Sequence, residues 1–138
     1  MSRASWKTQY QIIESASNFH NKVREIFATD IIFKNLKCYQ EVPVFKLIES
    51  YKDRYQKYDW YIDELNTVIE LHGAQHYNMV NFGSIGYDQA MQNFIDIKRR
   101  DQDKKYAAIE AGIKYIEIDY RKYKKLNNEM MQEIIFGV

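Results

Sequence analysis

The chain has one cysteine, one proline and five glycines in 138 residues. The lone Cys38 excludes an internal disulfide framework and a cysteine-rich zinc site, and it fits a reducing compartment. Its ordinary role is that of a small buried hydrophobe. With Pro43 as the sole proline, and no repeats or low-complexity tracts, no linker divides the chain. A single domain is expected, with residues 1–13 as an N-terminal extension. No apolar run approaches the roughly 18 residues of a membrane span. The first segment, MSRASWKTQYQII, lacks the apolar stretch of a signal peptide. The expectation is a cytoplasmic protein with no membrane partner. An excess of one charge is also lacking, at 20 Lys+Arg against 19 Asp+Glu. Bulk charge therefore does not announce a nucleic-acid binder. No serine lies in a G-x-S-x-G context, so a nucleophilic triad has no support.

Apolar residues are plentiful, at 46% of the chain, enough to fold a core. Twelve tyrosines and seven phenylalanines are a high aromatic load. In YKDRYQKYDWY and DYRKYKK the aromatics alternate with basic residues. That pattern suits a phosphate-tracking surface with stacking platforms, and equally suits amphipathic packing with snorkelling lysines.

Spacing predicts a helix from Ser15 or Ser17 to Ala28, with Phe19, Val23, Ile26 and Phe27 on one side. Leu36 to Phe45 reads as a strand whose Pro43 places it at an edge or near its end, and Leu47 to Tyr55 as a connection or short helical turn. A tight hairpin follows: strand 59–62, turn 63–66, strand 67–72. Asn78 to Tyr87 reads as a mobile loop. Asp88 to Ala111 is helical, in one or two pieces, and stops at Gly112. Ile113 to Ile118 is a strand, and Asn127 to Phe136 a last helix. Burying each apolar face gives an α/β fold, a mixed sheet flanked by helices.

The hairpin carries the chemistry. Side chains alternate faces along a strand, so Val68, Glu70 and His72 share one face. A turn centred between Glu64 and Leu65 pairs Ile62 with Thr67, Tyr61 with Val68, Trp60 with Ile69 and Asp59 with Glu70. Two carboxylates then face each other across the strands, which destabilises a sheet and forces one of them to hold a proton. A divalent cation removes both costs. Mg²⁺ favours one or two carboxylates with retained waters and phosphate oxygens, the arrangement of a phosphodiester-cleaving site. His72 and His76 lie just beyond and suit proton transfer near neutral pH. The His72-x-x-x-His76 spacing could bind zinc on a helix, but Gly73, the strand context and the missing H-E-x-x-H order exclude a zinc protease.

The pattern D-x(10)-E-x-H-G-x-Q-H, followed by R-D-x-x-K and a G-I-x-x-I-x-I strand, resembles the PD-(D/E)xK nuclease superfamily. It looks most like the branch with the very-short-patch-repair endonucleases and the phage EDxHD homing endonucleases. The resemblance covers roughly Phe19 to Tyr120. It implies a restriction-endonuclease-like αβββαβ core and DNA strand cleavage with Mg²⁺, for which Mn²⁺ is the substitute ion. It implies Asp59 and Glu70 as metal ligands and His76 as general base. His72 stands where the family's E-x-K lysine would be. His72 or Lys104 would stabilise the phosphate, and Asp101 and Lys104 match the downstream helix motif. The first-helix acid has no clear counterpart among Glu14, His20 and Glu25. The repair enzymes' structural zinc needs more cysteine than Cys38, so mismatch repair is not supported.

The expectation is a phage homing-type endonuclease acting on double-stranded DNA, in the host cytoplasm if phage-encoded. The rival reading is a catalytically inactive nucleic-acid-binding or interaction protein on the same fold. Gln75, Arg99, Arg100, Lys105 and Arg121 are the candidate DNA contacts, of the kind that position without specifying sequence. No helix-turn-helix or zinc-finger module is visible. Target recognition is then left to the loop 78–87, the first 13 residues, the tail 120–125, a homodimer or a partner.

Overall fold

The computed structural model describes residue 7, residues 17–80 and residues 82–137. Helix α1 spans Asn18–Thr29, with the Ser17 hydroxyl accepting the His20 N–H at 3.3 Å as its N-cap. Its stripe of Phe19, Val23, Ile26 and Phe27 is buried as the spacing predicts. Strand β1 (Cys38–Pro43) is shorter than expected, because residues from Val44 turn into a helical turn, α2 (Val44–Leu47). Strand β2 covers Lys57–Ile62 and β3 covers Thr67–His72. Between them residues 63–65 form a 3-10 turn closed by Asn66 in the left-handed region. Tyr61 holds that turn by donating its hydroxyl to Asn66 Oδ1 at 2.8 Å.

The expected loop 78–87 contains a short helix, α3 (Phe82–Ile85), and its last residue already belongs to the next helix. Helix α4 is continuous over Tyr87–Glu110 rather than broken in two. Gly112, at φ +76, permits the left-handed turn that ends it. Strand β4 (Lys114–Asp119) is followed by a 3-10 segment at 120–125 that the spacing did not predict. Helix α5 closes the described chain at Asn128–Phe136, capped by the Asn127 side chain.

The sheet runs β1-β2-β3-β4, with β1/β2 and β2/β3 antiparallel and β3/β4 parallel. A parallel pair needs a crossover, and α4 supplies it. Strand β1 lies at the edge, with Pro43 as its last residue, where a missing N–H is tolerated. All six residues of β3 are buried. One sheet face carries Trp60, Ile62, Ile69, Leu71, Ile116 and Ile118 against α1 and α5. The other packs Tyr39, Tyr61 and Val68 against Ala108 of α4. Glu70 and His72 share the parity of Val68, so they point toward α4, as the alternation predicts. Among the described residues no helix is long and apolar enough to cross a membrane.

Candidate active site

The hairpin register is the expected one for three pairs: Ile62 with Thr67, Tyr61 with Val68, Trp60 with Ile69. There the ladder stops. The fourth pair, Asp59 with Glu70, is not a ladder pair. Side chains take over the backbone bonds instead. The Asp59 carboxylate accepts the Leu71 N–H at 2.7 Å, and the Glu70 carboxylate accepts the Asp59 N–H at 3.2 Å. The strands thus separate where the two acids meet, and the acids satisfy backbone donors that the separation would orphan.

The two carboxyls lie close enough for each to shift the other's proton affinity. Burial, then the charge of Asp59, pushes Glu70 up to about 8, while Lys104 pulls the other way. Burial also raises Asp59. The Lys104 ammonium of α4 reaches over the pair, ion-paired with Glu70 Oε1, and donates to the Lys57 carbonyl at 3.1 Å. Tyr58 fixes that part of α4 by donating its hydroxyl to the Lys104 carbonyl at 2.7 Å. One proton between the two carboxyls leaves one negative charge, which Lys104 balances. A lysine thus reaches the carboxyl pair from the crossover helix, although none stands two residues after Glu70 in sequence.

Glu70 makes the protein's stability depend on pH. Its folded value lies above its unfolded one, so the folded state keeps a proton that the unfolded chain releases. Without divalent metal, stability should be highest below about pH 4.5 for this group and fall as pH rises through about 8. A tenfold difference in proton affinity between the folded and unfolded chain is worth about 1.4 kcal/mol, so the fall amounts to a few kcal/mol. Urea unfolding of wild type and Glu70→Gln across that range checks this. The Gln variant should lose most of the slope, and an unchanged slope would refute the assignment to Glu70.

A second group lies two residues further along β3. The His72 and His76 rings stack, with centroids 4.0 Å apart and planes 8° from parallel. His76 Nδ1 shares a hydrogen with Asp101 Oδ2 at 2.8 Å. The buried His72 lies between Asp101 of α4 and Glu117 of β4. Asp101 and Lys104 are one turn apart on α4, so a single helix face serves both groups.

Of the first-helix candidates, His20 lies within the field of Glu41 and Glu70, and burial holds its imidazole below the ordinary value. Glu25 is exposed, and Glu14 lies outside the described residues, as do most of residues 1–13.

Of the candidate DNA contacts, Gln75 and Arg100 line a 420 Å³ cleft with His76, Asp101 and Lys104. Lys105 lines a second cleft, of 300 Å³, on the His72 and Glu117 side. Arg99 lies further round α4, beside Asp96 and Asp103. Arg121 is bound at its Nε to both Asp119 oxygens at 2.9 Å, which offsets its charge. A larger cavity, of 610 Å³ between Tyr51, Tyr106 and Glu110, lies along the C-terminal part of α4 and shares Asp53 and Gln56 with the first cleft.

Three residues escaped the sequence reading. Tyr77 donates to Glu117 at 2.5 Å, and Glu117 faces His72. The third, Glu41, falls opposite Asp59 in a register that pairs Gln40 with Trp60 and Val42 with Tyr58. It holds φ +54, and its charge acts on both Asp59 and His20. A left-handed non-glycine costs about 1–2 kcal/mol, and such strain gathers at functional sites. Nothing in its local sequence signals that conformation.

Asp59 and Glu70 supply hard oxygen donors, and each oxygen has lone pairs beyond the contacts above, so the pair suits Mg²⁺. Comparison with known protein families, curated proteins and solved structures finds no match to this chain.

Proposed function

We propose that the protein is a Mg²⁺-dependent endodeoxyribonuclease of the homing type, built on a restriction-endonuclease-like αβββαβ core. One observation carries the reading. A buried and a half-buried carboxyl from adjacent strands meet where the hairpin opens, with a lysine against them and a histidine–aspartate pair beside them. For a scaffold this arrangement is a cost. For phosphodiester hydrolysis it is the needed donor set. A divalent ion held by Asp59 and Glu70 would supply water activation and neutralise charge developing on the phosphate.

The chain's own groups divide the remaining work. Asp101 accepts the Nδ1 hydrogen of His76, which leaves the Nε2 lone pair to take a proton from water. Lys104 holds positive charge at the carboxyl pair. Gln75 and Arg100, on the cleft wall, offer phosphate contacts. The partner is double-stranded DNA.

A supercoiled-plasmid assay tests this. Wild type with Mg²⁺ should nick or linearise the plasmid, and chelator should stop it. His76→Ala should be slower by about a hundredfold, the worth of a general base. No product with Mg²⁺ or Mn²⁺ would overturn the reading and leave a non-catalytic binding protein.

A further inference from the structure

His72 is a histidine that neither neutral form satisfies. It is 2% exposed. Its Nδ1 lies 3.4 Å from Glu117 Oε1, and its Nε2 lies 3.7 Å from Asp101 Oδ1 with no hydrogen-bond partner. A neutral imidazole has one N–H and one lone pair. Whichever nitrogen carries the hydrogen, the other points a lone pair at a carboxylate oxygen. The doubly protonated ring would satisfy both ends, yet burial and then the neighbouring His76 disfavour it.

Glu117 is itself fixed by the Tyr77 hydroxyl. Its distance to Nδ1 is the shorter one, which places the ring hydrogen there. The Nε2 lone pair then faces Asp101 across 3.7 Å, a gap that a cation fills. One ligand atom each from His72, His76 and Asp101 lies within 4.8 Å of the others. Tetrahedral ligands at about 2.1 Å from zinc stand roughly 3.4 Å apart. The His72–Asp101 gap is close to that, the His76–Asp101 contact at 2.8 Å needs to open by about half an ångström, and the stacked rings need to tilt so that both lone pairs converge.

We propose that His72 Nε2, His76 Nδ1 and Asp101 form a second cation site, separate from Asp59 and Glu70, that takes Zn²⁺, Co²⁺ or Ni²⁺ in preference to Mg²⁺. Two imidazoles and one carboxylate are a donor set for borderline transition ions, whereas Mg²⁺ seeks oxygen. Glu117 and Tyr77 are the outer partners that orient a metal-binding histidine. A consequence follows, and it alone rests on the nuclease reading. Metal on His76 Nδ1 leaves the ring's one proton on Nε2, the atom that would accept a proton from water. Occupancy and base catalysis exclude each other, so Zn²⁺ should inhibit Mg²⁺-dependent cleavage.

Titration of the whole chain with Co²⁺, followed by visible absorption, tests the site without DNA. Wild type should take up one equivalent that Zn²⁺ displaces and Mg²⁺ does not. His72→Ala and Asp101→Asn should each weaken binding more than tenfold, and Glu117→Gln by about tenfold as an outer partner. Asp59→Asn should leave Co²⁺ binding unchanged. Metal-free circular dichroism and melting establish which variants fold, and Asp101→Asn, at a partly exposed position, carries the test if His72→Ala does not. No saturable Co²⁺ uptake, full displacement by Mg²⁺, or undiminished binding by Asp101→Asn overturns the proposal. Intact Co²⁺ binding in a protein that cuts no DNA would sink the nuclease reading and leave this site standing.

Discussion

Asp59→Asn should abolish Mg²⁺-dependent plasmid cleavage and, in the same protein, raise the melting temperature of the metal-free form. The two effects have one cause. Asp59 and Glu70 are like-charged acids held together in a half-dry site, and burial already drives both toward the protonated form. Asparagine keeps an oxygen to accept the Leu71 N–H, so the opened hairpin retains its bond. It removes the charge that opposes Glu70 and offers an N–H₂ donor to it. Relief of a like-charge pair of this kind is worth about 1 kcal/mol, or roughly 3–5 °C for a chain of this size. Metal affinity moves the other way. Loss of one of two anionic ligands removes several kcal/mol of charge stabilisation, about a thousandfold or more in rate. Calorimetry without metal and the plasmid assay with Mg²⁺ measure the pair of effects. A variant that cuts normally, or one that melts well below wild type, would show that the two acids are not held together for metal.

The hairpin register was legible because its determinants are local. Asn66 closes the turn, and alternation from Thr67 to His72 sets the faces. The opening beyond Trp60 and Ile69 was not, since it depends on carboxylates capturing backbone donors, which no pattern encodes. Lys104 and Asp101 could be named from their motif, but not their separate partners. Those depend on how α4 lies over the sheet. Glu117 and Tyr77 were missed for a related reason. Glu117 reaches His72 through a parallel register, Val68 with Tyr115 and Glu70 with Glu117, that the 24-residue crossover helix sets from afar, and Tyr77 joins it by bonding Glu117. The same helix was expected in one or two pieces, because RRDQDKK is polar all round and has no apolar period to carry it through.

Lys104→Met should destabilise the metal-free protein by about 3–5 kcal/mol at alkaline pH, the cost of leaving a buried charge without its partner, and by far less at acid pH, below the range in which either carboxyl ionises. Methionine keeps the apolar stem that covers Glu70 and removes only the ammonium, so packing changes little. The pH dependence follows from the coupled pair. With both carboxyls protonated, Lys104 has no charge to compensate and its loss matters little. The penalty sets in as the first carboxyl ionises. It grows again through about 8, where Glu70 ionises in wild type, because the variant's Glu70 is held higher still. Adding Glu70→Gln should recover much of the loss, since one charge then no longer needs an ammonium. Urea midpoints of wild type, both single variants and the double variant, at acid pH and near pH 9, complete the cycle. A loss equal at both pH values, or one that Glu70→Gln does not reduce, would make Lys104 a packing residue and not the cation that lets two acids share one site.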